Sequence, residues 1–212
     1  MTSESRQSPE RKTSGSRQST EESPRRYVLI DRDGTIIEEC HYLSDPCQVR
    51  LIPGSAEAMR KLREQGLGLA IVTNQSGVGR GYFDLERLQQ INQRMCDLLA
   101  FEGVHLDGIY FCPHTPEDQC GCRKPRPGMI EQAAKELGFE PARCMVVGDR
   151  ETDIELGRNV GATTFLVQTG YGAETATNCS ANPDYMVANL LDAARVITTL
   201  VSEHPDPVNP RS

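Results

Sequence analysis

The 212-residue chain has no tryptophan, and its aromatic residues are limited to five Phe and six Tyr. It also lacks a basic excess: the net charge is −7, and no aromatic–basic stacking platform is visible, which argues against a nucleic-acid binder. No run approaches the roughly 18 consecutive apolar residues that a membrane span needs. Residues 1–26 hold no apolar stretch fit for a signal peptide, so export by that route is not expected and the chain reads as cytoplasmic. In that setting the eight cysteines read as thiols or metal ligands before they read as disulfides. No internal repeat is visible, and nothing signals an oligomer, so a monomer is the default expectation.

The leading segment, 1–26, carries six basic and four acidic side chains and seven serines, with no aliphatic or aromatic residue beyond Met1. Such a composition cannot offset its ordering entropy, and a disordered tail is expected there. Residues 203–212 read as a second short tail. One domain is expected between them, over 27–202.

Within that domain short apolar runs alternate with amphipathic stretches. Tyr27-Val28-Leu29-Ile30 has no polar alternation and reads as a strand buried on both faces. Leu69–Val72, Ile109–Phe111, Cys144–Val147 and Thr164–Val167 read the same way. Between them, helices are expected from Ser55 to Gly66, from an Asp84 cap to Gly103, over Met129–Leu137 and over Ile154–Val160, with a closing helix at Leu190–Leu200. This alternation predicts an α/β fold, a doubly wound, mostly parallel sheet, with a small cap or none.

Polar clusters follow the strands directly: Asp31-Arg32-Asp33-Gly34-Thr35, Thr73-Asn74-Gln75-Ser76, Cys112-Pro113-His114 and Gly148-Asp149-Arg150. Ligands of open α/β sheets bind beyond the carboxyl ends of the strands, so these four segments are expected to converge on one crevice. Asp31 and Asp33, two apart, project the same way if the chain leaves the strand extended. Bringing Asp31, Asp33 and Asp149 together calls for a cation, and hard oxygen ligands suit Mg²⁺. The plainer alternative is a solvated acidic turn.

A second cluster, Cys112-Pro-His114-x5-Cys120-Gly-Cys122, places three thiols and an imidazole within eleven positions. Cys3His is a closed tetrahedral zinc set, and a structural Zn²⁺ would hold Arg123 and Lys124 over the crevice. A Cys120–Cys122 disulfide or unligated thiols are the alternatives. Cys40, Cys47, Cys96 and Cys179 are scattered, Cys144 is expected in the core, and His105 reads as an ordinary surface or packing residue.

Asp31-Arg32-Asp33-Gly34-Thr35, Thr73-Asn74, Lys124 and Gly148-Asp149-x-x-x-Asp153 resemble, in order, the four motifs of the haloacid dehalogenase (HAD) superfamily over about residues 27–190. The resemblance implies a Mg²⁺-dependent phosphatase working through an aspartyl-phosphate. Asp31 would be nucleophile and Mg²⁺ ligand, Asp33 the acid and then base (its backbone carbonyl also on Mg²⁺), and Asp149 a further Mg²⁺ ligand. Thr73 and Lys124 would meet the phosphoryl oxygens, with Asp153 positioning. A relative that has lost activity and serves as a binding module is the competing class.

Within the superfamily, Cys-Pro-His…Cys-x-Cys-Arg-Lys-Pro is similar to two groups, D,D-heptose 1,7-bisphosphate phosphatases and histidinol-phosphate phosphatases. Tyr42-Leu43, Pro53-Gly54 and the stretch Thr73 to Phe83 lie closer to the heptose group. That implies a sugar bisphosphate as substrate, losing its 7-phosphate. Glu39, Cys40, His41 and Tyr42 would line it opposite Asn74, Gln75 and Ser76, with Arg123, and Arg80 as a second candidate, available to the retained phosphate and Arg150 among the substrate contacts. The family often has Asn where Ile37 stands, Gly where His41 stands, and Lys where Arg150 stands.

Overall fold

The computed structural model describes residues 25–178 and 180–203. The expected tails therefore fall outside the described residues for 1–24 and 204–212, as does Cys179. Arg25 donates through Nη2 to Leu67 O (2.7 Å) and through Nε to Gly66 O (2.8 Å).

Six strands form one parallel sheet: β1 (Tyr27–Ile30), β2 (Gly68–Asn74), β3 (Gly108–Cys112), β4 (Met145–Gly148), β5 (Thr163–Val167) and β6 (Tyr185–Val187). Their order is β3-β2-β1-β4-β5-β6, every neighbouring pair parallel. The helices are α1 (Ser55–Glu64), α2 (Ser76–Gly79), α3 (Leu85–Phe101), α4 (Gly128–Leu137), α5 (Glu151–Asn159), α6 (Gly172–Asn178) and α7 (Leu190–Glu203). This is the doubly wound α/β architecture.

Successive residues of the central strands point to opposite faces, and both faces are covered. Val28, Ile30, Leu69, Ile71, Met145 and Val147 pack with Met59 and Leu62 of α1, Ile91, Met95 and Leu99 of α3, and Ala194 and Ile197 of α7. Leu29, Ala70, Val72 and Val146 pack instead with Met129, Ile130 and Ala133 of α4 and Leu156 of α5. That two-sided burial is why the strands read as unbroken apolar runs. Cys144 lies in this second cluster, as expected.

The sheet has a topological switch point at β1, which is flanked by β2 on one side and β4 on the other. Chains leaving β1 and β4 diverge there, opening a crevice beyond their carboxyl ends. The connection from β1 to α1 holds only a one-turn 3₁₀ helix, Pro46–Gln48, so nothing cap-sized is inserted there. Among the described residues no helix is long and apolar enough to cross a membrane.

Candidate functional site

Asp31 is the first residue beyond β1, and its N–H still donates to Val147 O of β4 (2.9 Å). The chain then turns at Gly34, whose positive φ of 78° suits glycine, and Gly34 N–H donates to Ile37 O at 2.8 Å. Asp149 and Asp153 arrive from the end of β4 and the first turn of α5. Carboxylate oxygens of Asp31, Asp149 and Asp153 all lie within 4.8 Å of one another, and all three residues are buried.

Lys124 neutralises part of this charge. Its Nζ donates to Asp31 Oδ1 (2.8 Å) and Val72 O (2.9 Å), and pairs with Asp153 Oδ1 at 2.6 Å. Burial alone would lower the lysine's pKa; the adjacent carboxylates of Asp153 and Asp31 outweigh it, raising it above the ordinary value. Burial pushes the Asp153 pKa up to about 6, and Lys124 works against that shift. The lysine is placed through its backbone: Lys124 N–H donates to Asn74 Oδ1 (3.0 Å), and Asn74 Nδ2 donates to Lys124 O (3.3 Å).

Asp149 is the exception among the three. Its Oδ2 accepts from Tyr171 N–H (2.7 Å), while its Oδ1, fully buried, has no partner. Burial first, then Asp31 and Asp153, push its pKa up to about 8. An orphaned carboxylate oxygen beside two other carboxylates is the environment a hard divalent cation satisfies, so the residues present fit Mg²⁺.

Asp31 and Lys124 open onto a cleft of about 510 Å³, while Asp149 and Asp153 are buried behind them and are not part of its lining. Its walls include Asp31, Asp33, Glu39, His41, Tyr42, Thr73, Asn74, Gln75, Ser76, Arg123, Lys124 and Arg150, so most residues singled out from sequence meet here. Cys40 does not: its side chain is exposed and is not part of the lining. Arg80 is likewise exposed and off the wall. Asn74 and Gln75 line the cleft, but their amides are engaged inward, Gln75 with Asp33, Thr73 and Arg32.

His41 and Tyr42 have φ of 40° and 66°, the left-handed region that glycine adopts with least strain. His41 Nδ1 lies 3.4 Å from Tyr171 Oη, and the Arg150 guanidinium stacks 3.8 Å from the Tyr171 ring centroid. Sequence reasoning passed over Tyr171, although it follows β5 as the other wall residues follow their strands. It also passed over Arg32 and Asn92, for which the sequence carries no signal beyond one charge and one amide among many.

Beside the cleft, Cys112, His114, Cys120 and Cys122 bring their ligand atoms together. The sulfur–sulfur separations are 3.3, 3.4 and 3.5 Å, and His114 Nδ1 lies 3.3 Å from Cys122 and 3.6 Å from Cys112. A tetrahedron with Zn–S bonds of about 2.3 Å has edges of about 3.7 Å, so the cluster is close to that shape. Cys120 and Cys122 are unbonded at 3.4 Å, against the disulfide alternative. Burial would raise the Cys120 thiol, but hydrogen bonds from Cys122 and Cys112 bring it down to about 7, while burial pushes Cys112 well up. The loop is clasped from within: Arg123 Nη1 donates to His114 O (3.1 Å), and Arg126 Nη1 donates to Cys120 O (2.7 Å) and to Gln119 O.

A family model described as HAD-hydrolase-like matches residues 121–193. The D-glycero-beta-D-manno-heptose-1,7-bisphosphate 7-phosphatase of Pasteurella multocida is 39% identical over 182 residues, 82% of this chain and 98% of that protein. A D-glycero-D-manno-heptose-1,7-bisphosphate 7-phosphatase of Thermosynechococcus vestitus is 36% identical over 190 residues, covering 83% and 97%. Among solved structures, the D,D-heptose 1,7-bisphosphate phosphatase of B. bronchiseptica, complexed with magnesium and phosphate, superposes with a TM-score of 0.78 at 32% identity, covering 82% of this chain and 99% of that one. The chain belongs to the family of the D-glycero-D-manno-heptose-1,7-bisphosphate 7-phosphatases, within the HAD-like hydrolases.

Proposed function

We propose that the chain is a phosphoric monoester hydrolase that removes the 7-phosphate of D-glycero-D-manno-heptose 1,7-bisphosphate, leaving the 1-phosphate. The observation that carries this reading is the pairing of Asp31 with Lys124, beside the orphaned Asp149 oxygen, in a cleft whose walls also hold Arg32, Arg123 and Arg150. A floor that holds Lys124 and suits a divalent cation, with the arginines Arg123 and Arg150 on the wall, fits a substrate with two phosphates.

The roles follow from the residues. Asp31 attacks the phosphorus; as its Oδ–P bond forms, the P–O bond to the sugar breaks and Asp33 gives its proton to the leaving alkoxide. Asp33, now a carboxylate, takes a proton from water, whose oxygen attacks the phosphorus and returns Asp31 with release of phosphate. Thr73 and Lys124 hold the non-bridging oxygens, and Arg123 and Arg150 hold the retained phosphate. Mg²⁺, held by Asp31, Asp149 and the Asp33 backbone carbonyl, would supply positive charge against the repulsion between the nucleophile and an anionic phosphoryl group. Cys112, His114, Cys120 and Cys122 would hold Zn²⁺ with four protein ligands and leave no open position for chemistry, so its place would be structural.

We assign the activity to residues 27–202, acting as a monomer in the cytoplasm, with the sugar phosphate as partner and neither nucleic acid nor membrane. The clustered thiols suit a compartment that keeps them reduced. The test compares phosphate release from the heptose bisphosphate and from histidinol phosphate with Mg²⁺ present. Turnover of the bisphosphate with the 1-phosphate as product, lost in Asp31→Asn, supports the reading; preferential turnover of histidinol phosphate overturns it.

A further inference from the structure

Between the two aspartates that begin the site lies an arginine whose side chain is sealed from solvent. Arg32 is 1% exposed and is the largest of the fully buried side chains. A guanidinium in such a place needs both a counter-charge and partners for its donors. The counter-charge is Asp33, met through both oxygens: Arg32 Nε donates to Oδ2 (3.0 Å) and Nη2 to Oδ1 (3.1 Å). The remaining contacts reach outward, Nη2 to Gln75 Oε1 (2.8 Å) and Nη1 to Asn92 Oδ1 (2.8 Å).

Asn92 is the informative end of this chain. It lies on the buried stripe of α3 with Leu88, Ile91, Met95 and Leu99, where an apolar side chain would pack without a polar atom to satisfy. It is buried and is not part of the cleft wall. Its amide therefore reaches the site only through Arg32. Gln75 closes the arrangement from the other side, with Nε2 donating to Asp33 Oδ2 (2.8 Å) and to Thr73 Oγ1 (2.9 Å).

We propose that Arg32, anchored by Asn92 and Gln75, is a positioning residue that fixes the orientation of the Asp33 carboxylate, the form that takes the proton from water. This rests on the acid and base role assigned to Asp33 above. Neighbouring side chains in sequence could pair in several rotamers; the fork is held to one by Gln75, just beyond β2, and Asn92 on α3. Asp33 Oδ2 meets two donors and Oδ1 one, so the two oxygens are not equivalent, and Oδ1 keeps lone-pair capacity to accept from water. Displacing a proton-transferring group by about 1 Å costs on the order of 100-fold in rate, so the fork has consequence.

The test uses full-length Asn92→Leu, which completes the apolar stripe, Asn92→Asp, which keeps an acceptor at the same place, and Arg32→Lys, which keeps the charge without the planar fork. Each is assayed for kcat, KM and thermal midpoint with the heptose bisphosphate and Mg²⁺. Expected are a kcat lowered by about 10- to 100-fold with KM within about twofold in Asn92→Leu and Arg32→Lys, and recovery of most of the kcat in Asn92→Asp. Near-normal kcat in Asn92→Leu and Arg32→Lys overturns the proposal, as does a loss carried by KM or one that only follows the melting temperature. Asp33→Asn run alongside separates the two levels: if it stays active, the acid–base reading itself fails, whereas an inactive Asp33→Asn with a normal Asn92→Leu removes only the positioning role.

Discussion

Asp149 shows how much one side chain's surroundings decide. Its Oδ2 is tied to the backbone of Tyr171, and its Oδ1 is buried without a partner. Two glycines make the space: a Cβ on Gly34 would come within 2.2 Å of Asp149 Oδ2, and one on Gly170 within 2.3 Å. Gly170 also has a positive φ of 55°, so a methyl group there is opposed by both backbone and neighbour. Gly170→Ala is expected to push Asp149 out of place, raising the Mg²⁺ concentration for half-maximal activity by about tenfold or more, the scale of losses around metal ligands. A Mg²⁺ titration of phosphate release checks this, and an unchanged midpoint would count against Asp149 as a ligand. Asp149 was legible in the sequence as Gly-Asp after an apolar strand; Gly170 was not, because a glycine beyond a strand reads as any turn until its neighbour is known.

At the scale of elements, the segment from Cys112 to Lys124 joins the end of β3 to the lysine paired with Asp31, and it carries the four-residue Cys/His cluster. Gly79 N–H of α2 donates to Pro113 O (2.9 Å), and Gly128 N–H at the start of α4 donates to Gly121 O (3.1 Å), so the loop is seated between two helices. Replacing Cys122 by Ser removes one thiolate from the set. Zinc content by metal analysis is expected to fall well below one per chain, and kcat to drop by about tenfold, the magnitude seen when supports of a site are lost. The Mg²⁺ dependence should stay close to normal, because the proposed Mg²⁺ ligands Asp31 and Asp149 follow β1 and β4, outside this loop. Full activity in a zinc-free variant would refute the mechanical role. The strands β1 to β5 were readable because each is an apolar run, and the Cys/His cluster because its residue types are uncommon together. Three elements were not: β6 is a three-residue edge strand with partly exposed side chains, α2 is a single turn, and α6, Gly-Ala-Glu-Thr-Ala-Thr-Asn, has no apolar stripe. Edge and one-turn elements are held by their neighbours rather than by their own pattern.

For the whole molecule, the switch point that opens the crevice also concentrates negative charge at the centre of the fold, and stability should register it. The Asp149 pKa is raised to about 8 by burial and by Asp31 and Asp153, above the usual 3.8 of the unfolded chain. Between those values the folded, metal-free protein binds more protons than the unfolded one, so the stability from a protonated Asp149 is fully present below about pH 4 and is lost as pH rises toward 8. Mg²⁺ binds the ionised carboxylate and so opposes that loss. The increase in thermal midpoint on adding Mg²⁺ should therefore be larger at pH 8 than at pH 6. Paired melts at the two pH values, with Mg²⁺ and with chelator, give the comparison. Asp149→Asn carries no charge to relieve, so its Mg²⁺-induced shift should be small and nearly independent of pH. A wild-type shift equal at both pH values would mean that the cation meets no burial-strained carboxylate, and the proposed ligand set would have to change.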